Sequence, residues 1–183
     1  MPGGRVSAGE RVTLRTMEPE DAEFKQRACT NPETRYPLGT PVRTVAEIEA
    51  ELEDGEDGSD TFLICTDDDA GPGTADAEEI RRIGGVGVHD VDWRRPELGY
   101  WLIPEVHREG YGSEAISLVL DYVFRTYDHP AVGAGVYEFN DASRGLLESL
   151  GFEEEGRTRR DRFVDGEYVD TIQYVLLREE WRE

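Results

Sequence analysis

The chain has 183 residues, enough for one compact domain with a proper core. It carries 41 Asp and Glu against 20 Lys and Arg, a formal net charge of −21, while hydrophobic residues make up 37%. No basic stripe is available to neutralise phosphates, which argues against direct nucleic-acid binding. No apolar run approaches the roughly 18 residues of a membrane-spanning helix, so no membrane association is expected. An N-terminus without an apolar signal segment makes a cytoplasmic location the expectation.

In chain order, residues 1–9 bear Gly and Ser and are expected to be a flexible N-terminus, with residues 10–183 forming a single domain. Alternation of Val12 and Leu14 predicts a strand over 11–16. Glu18-Pro19-Glu20-Asp21 opens a helix over 21–29, its carboxylates well placed at the positive end of the helix dipole. Three X-Pro pairs, at Asn31, Tyr36 and Thr40, predict a loop. Thr44 with Glu47 reads as a capping box for a helix to Glu53. Residues 61–66 form a short apolar strand, 67–79 an acidic loop excursion and 80–89 a glycine-rich strand.

The strand over 97–103 puts Leu98, Tyr100 and Leu102 on one face and Trp101 and Ile103 on the other. A helix follows, with Tyr111, Ala115, Leu118, Val119, Tyr122 and Val123 at helical spacing. Then come a strand over 131–137, a helix over 141–150, a strand over 152–159, a turn at Asp165-Gly166 and a closing strand over 168–177. The expected class is α/β (α+β): one mixed, mostly antiparallel sheet of about seven strands with helices on both faces.

Chemistry concentrates between His107 and Ser113. Gly110 and Gly112 stand between the end of a strand and the start of a long helix, so the backbone can approach a ligand closely. Unpaired N–H groups and the dipole at the helix start favour an anion there, and Ser113 adds a hydroxyl. The competing reading is a glycine-eased turn with Ser113 as a cap. A P-loop would need a Lys after its glycines, and none is present. A dinucleotide fingerprint would follow the first strand of a βαβ unit, whereas this loop follows four predicted strands.

The ordered run Gly99-Tyr-Trp-Leu-Ile-Pro, then His107-Arg-Glu-Gly-Tyr-Gly-Ser-Glu-Ala115, resembles the central motif of the GCN5-related N-acetyltransferase (GNAT) superfamily. Further matches are Asn140-Asp-Ala-Ser143, Leu150-Gly-Phe152, Gly156, Asp170 and Tyr174, with Leu14-Arg15 and Glu20-Asp21 near the start. The match is nearest to the branch that acetylates ribosomal-protein N-termini. It implies acetyl-CoA as cofactor, coenzyme A as product and an amine acceptor, foremost a protein N-terminus. A small-molecule amine (an antibiotic or a polyamine) and a non-catalytic acyl-CoA-binding protein on the same fold are the alternatives.

The resemblance also implies site residues. His107, Arg108, Glu109, Gly110, Tyr111, Gly112 and Ser113 would form the pyrophosphate loop. Asn140 would hold the pantetheine arm, which would lie between the strands over 100–103 and 132–137. Backbone N–H groups at Leu102 and Ile103 would stabilise charge on the thioester oxygen. Ser143 would protonate the departing thiolate, and Glu97, with His89 or Asp90 as alternatives, would take the proton from the amine. Two positions depart from the family pattern: His107 replaces the usual Gln or Arg, with Arg108 able to compensate, and Leu147 replaces a frequent tyrosine acid.

The remaining polar and aromatic residues bear less on the site. Tyr36, Trp93, Tyr100, Trp101 and Tyr174 either line an acceptor groove or pack in the core. Cys29 and Cys65 read as reduced structural thiols, and His89, His107 and His129 lack metal-ligand spacing, so no metal is expected. Arg157, Arg159, Arg160 and Arg162 read as a solvated face, or as an attractor for an acidic substrate or the cofactor's phosphates. Lys25 is the only lysine, and that bias together with the charge is similar to haloarchaeal proteins, implying a halophilic chain stabilised by salt. A homodimer is left open by the sequence.

Overall fold

The computed structural model describes residues 3–55, 58–67, 80–92 and 95–181. They form one eight-stranded sheet: β1 (Arg5–Ala8), β2 (Thr13–Thr16), β3 (Asp60–Asp67), β4 (Ile80–His89), β5 (Glu97–Leu102), β6 (Ala131–Tyr137), β7 (Glu153–Val164) and β8 (Glu167–Leu177). The spatial order is β1-β2-β3-β4-β5-β6-β8-β7, and every neighbouring pair is antiparallel except β5 with β6. The helices are α1 (Ala22–Thr30), α2 (Pro32–Leu38), α3 (Val45–Asp54), α4 (Tyr111–Thr126) and α5 (Asp141–Ser149).

Period-2 alternation decides which residues meet which helix layer. Phe62, Ile64, Val86 and Val88 share a core cluster with Ala115, Ile116, Val119, Leu120 and Val123 of α4 and Leu147 of α5. Leu63 and Cys65, also buried, alternate to the opposite face of β3. There α1 and α2 pack on β4 and β5, and α1 also packs on α3. The side chain of Trp101 lies 5.6 Å from the ring of Phe24 in α1, centroid to centroid.

Several sequence expectations are corrected. The N-terminal segment 1–9 is not wholly flexible: Arg5–Ala8 pairs with β2 as an edge strand, raising the expected seven strands to eight. The predicted loop with three X-Pro pairs contains a helix, α2, because Asn31 caps it by accepting from the Glu33 N–H and Pro32 occupies the first turn, where no N–H is needed. Pro37 lies in its last turn, and Gly39 ends it with φ of 63°. β7 continues past Arg159 to Val164, through an irregularity in register between Thr158 and Arg162 where Arg160 has φ of 51°. Trp93 and residues 68–79 of the acidic excursion lie outside the described residues.

Local signals that act within a few residues appear as read. Thr44 and Glu47 form a reciprocal capping box. Asp165 and Gly166 both have positive φ in the β7–β8 turn. Asp21, fully buried, closes a capping box with Glu18 and binds Arg82 of β4 at 2.7 Å, tying the entrance of α1 to the sheet. Among the described residues no helix is long and apolar enough to cross a membrane.

Candidate active site

The site is where the sheet opens. β6 and β8 stay paired along all of β6, from Ala131↔Leu177 to Tyr137↔Thr171. β5 and β6 are in register only at Glu97↔Gly133, with the Gly133 N–H donating to the Pro96 carbonyl at 2.8 Å. Beyond that vertex the two strands part. The Ile103 N–H donates to the Ile83 carbonyl at 2.9 Å, on the β4 side. Alternation then turns the backbone of Leu102 and Tyr100 toward β6, into the gap. This corrects one expectation: Leu102, but not Ile103, has an N–H directed at the opening.

At the open end of β5 a single 3₁₀ turn (Pro104–Val106) leads into the glycine loop. Arg108 has φ of 64° and Gly110 has φ of 87°. Gly110 is the N-cap of α4 and makes no side-chain cap, so Ser113 lies inside the first turn and is not the cap. A left-handed residue followed by helical ones turns successive N–H groups to one side, forming a concave anion seat. The first N–H groups of α4 have no acceptor within their own helix. The His107 side chain is engaged with the end of β5: its Nε2 lies 3.0 Å from the Leu102 carbonyl and therefore carries the proton.

An acidic residue in the first turn, Glu114, would repel a phosphate. The structure neutralises it: Oε1 accepts from the N–H groups of Arg11 (2.7 Å) and Val12 (3.1 Å), and Oε2 faces Arg11 Nε at 3.4 Å. Arg11 also donates to the Glu109 carbonyl at 2.9 Å and lies over the Tyr111 ring at 4.9 Å. Arg11 and Glu114 went unread in the sequence because they are 103 residues apart. An acidic residue directly after an anion loop was the one clue that it needed a basic partner.

α5 brings the other half. The Asn140 side chain accepts from the Ser143 N–H at 3.1 Å, so its oxygen caps α5 while its amide N–H₂ remains a donor. The Tyr100 hydroxyl reaches across from β5, 2.5 Å from Ser143 Oγ and 3.4 Å from the Ser143 carbonyl. Burial pushes the Tyr100 phenol up to about 12, against a smaller lowering by the Ser143 bond. Leu147 is fully buried and belongs to the core.

On the opposite face Glu97 and His89 are cross-strand neighbours, and the His89 Nδ1 lies 3.0 Å from Ser59 Oγ. Gly99 and Gly135 are exposed, giving the gap a floor of bare backbone on this side. Gly133 leaves room for the Glu97 carboxylate: a Cβ there would come within 2.5 Å of Glu97 Oε1. Tyr174 is buried, donates to Glu148 at 2.8 Å and accepts from Arg144 at 3.3 Å, a packing role. Arg157 is engaged with Asp170 and Glu138, which weakens the reading of the arginine cluster as an anion attractor.

The seat, the splayed strands and the Leu102 N–H fit a long thioester with a phosphate end. Comparison with known proteins agrees. The sequence pattern of the Acetyltransferase (GNAT) domain matches residues 11–153. The chain is 38% identical over 105 residues to the uncharacterized N-acetyltransferase YoaA of Bacillus subtilis, spanning 56% of this chain and 58% of YoaA. It is 30% identical to the uncharacterized N-acetyltransferase p20 of Bacillus licheniformis, over 94% of this chain and 96% of p20. It is 27% identical to the putative ribosomal N-acetyltransferase YdaF of Bacillus subtilis, over 94% of each. The fold is shared, with a TM-score of 0.82 and 21% identity, by the spermidine N-acetyltransferase of Vibrio cholerae solved with CoA and spermine, over 96% of this chain and all of that one. This chain therefore belongs to the GNAT acetyltransferase family and is an acyltransferase that uses acetyl-CoA.

Proposed function

We propose that the chain transfers the acetyl group of acetyl-CoA by direct attack of a primary amine, the acceptor being a protein N-terminus. The observation that carries the acceptor is the bare floor of the gap, with Gly99 and Gly135 exposed on the face away from α4. An extended peptide end can lie on such a floor and use main-chain hydrogen bonds. The 27% identity to a putative ribosomal N-acetyltransferase supports the same acceptor.

Acetyl-CoA supplies an activated thioester carbonyl. The N–H groups at the start of α4, with Arg108 beside them, hold its pyrophosphate. The Asn140 amide holds the pantetheine arm. The Leu102 N–H stabilises the negative charge that develops on the carbonyl oxygen. Glu97 takes the proton of the incoming ammonium through a water, with His89 beside it on β4, and Ser143 faces the departing sulfur.

A polyamine acceptor is the second reading, since the Vibrio cholerae protein on this fold was solved with spermine and Glu97 would attract a cation. Coenzyme A release, followed with a thiol reagent in molar KCl, separates the two. A peptide with a free N-terminal Ala or Ser should be acetylated and its Nα-blocked form should not. Preference for spermidine over every peptide would reverse the assignment. Glu97→Gln should lower kcat at least about tenfold, within the usual range for a general base. An unchanged rate removes Glu97 from that role.

A further inference from the structure

The tyrosine acid that the family resemblance places at position 147 is here a buried leucine, while β5 and α5 bring two hydroxyl groups, of Tyr100 and Ser143, into contact. We infer that Tyr100 of β5 is a positioning residue that aims the Ser143 hydroxyl at the departing sulfur. This rests on the reading of Ser143 as the group facing that sulfur.

Tyr100 Oη lies 2.5 Å from Ser143 Oγ and 3.4 Å from the Ser143 carbonyl oxygen. A carbonyl only accepts, so in the weak 3.4 Å contact the phenol is the donor. We take the phenol as donor across the 2.5 Å contact as well, so that its one proton goes mainly to Ser143 Oγ and the carbonyl receives a weak second branch. Ser143 Oγ then receives a hydrogen bond and keeps its own proton for another acceptor. Its N–H is already committed to Asn140, so the residue is held at both ends: by the helix cap behind and by the phenol in front. A lone serine hydroxyl would rotate among three staggered positions, and the phenol selects among them.

Position supports the same role. Tyr100 shares its strand edge with Leu102, whose N–H faces the gap, so the group polarising the carbonyl and the group steering the hydroxyl are two residues apart on one edge. In the chemical step the amine nitrogen forms its bond to the carbonyl carbon, and the carbon–sulfur bond breaks with its electron pair going to sulfur. The amine's proton goes to Glu97 or to water. Ser143 donates a hydrogen bond to the thiolate as charge builds, and Tyr100 need never ionise. Its phenol, which burial holds protonated well above neutral pH, remains a donor throughout.

The test is a double-mutant cycle on the full chain with Tyr100→Phe and Ser143→Ala, measured with acetyl-CoA and whichever of an Ala- or Ser-terminal peptide and spermidine the unaltered chain acetylates faster. Each single change should lower kcat about tenfold, the worth of one charge-assisted hydrogen bond, with KM for acetyl-CoA within about twofold. The double variant should be no slower than Ser143→Ala, because Tyr100 acts only through Ser143. Ser143→Ala at the wild-type rate overturns the role of Ser143 itself. Ser143→Ala slow with Tyr100→Phe unchanged, or losses that multiply in the double variant, overturns the role of Tyr100 alone. Unfolding midpoints recorded alongside show whether any variant has lost its fold.

Discussion

His107 Nε2 donates to the Leu102 carbonyl across 3.0 Å, joining the end of β5 to the loop that opens α4. The bond spans the 3₁₀ turn and fixes how far the anion seat stands from the gap between β5 and β6. His107 is thus a brace, where the family pattern suggests a phosphate contact. His107→Ala should raise KM for acetyl-CoA about fivefold, the equivalent of one hydrogen bond, and leave kcat within about twofold. His107→Gln, which can still donate, should keep most of the affinity. Wild-type kinetics in the alanine variant would show that the brace is dispensable.

Gly84 of β4 lies against β5, and a Cβ there would collide with the Trp101 carbonyl oxygen and crowd Leu102. Backbone cannot step aside as a flexible side chain can. Gly84→Ala should therefore cost about 1–3 kcal/mol, the usual cost of overpacking, read as a lower denaturant midpoint. Because it pushes on Trp101 and Leu102, it should also lower kcat. Gly145→Ala is the control: nothing lies within 4 Å of a Cβ there, so the variant should match or exceed wild type in stability.

Arg178, just beyond β8, gathers the chain that leaves α4: Nη1 donates to the Phe124 carbonyl (2.6 Å), Nη2 to Tyr127 (2.5 Å) and Nε to His129 (2.8 Å). A guanidinium can satisfy three carbonyls in a fork; an ammonium on a single stem cannot. Arg178→Lys should lower stability by about 2–3 kcal/mol while leaving the activity per folded molecule unchanged, since the site lies at the other end of α4. Equal unfolding midpoints would count against this cap.

The net charge of −21 should make stability depend on salt. At 1 M the Debye length is about 3 Å, so neighbouring surface carboxylates no longer feel one another. The thermal midpoint should rise by about 10 °C or more between dilute buffer and molar KCl, equivalent to a few kcal/mol for a chain of this size. A flat response would show that the acidic surface carries no such cost.

What the sequence determines by itself is whatever acts over a few residues. The capping box at Thr44 and Glu47, the Asp165-Gly166 turn and the helix start after Gly110 depend on neighbours within a turn, and each appears where its residues put it. The family motif extends that reach, because an ordered set of residues stands for a whole fold. Local rules misjudge α2, where three prolines outweigh the Asn31 cap, and β1, whose four residues become a strand only when β2 is beside them.

What only the tertiary structure decides is which distant groups meet. Arg11 neutralises Glu114, Tyr100 engages Ser143, and the parting of β5 from β6 leaves Leu102 rather than Ile103 with its N–H in the gap. Each depends on strand register and on the closure of long loops. A one-residue shift in register would reverse the direction of every backbone and side-chain group involved.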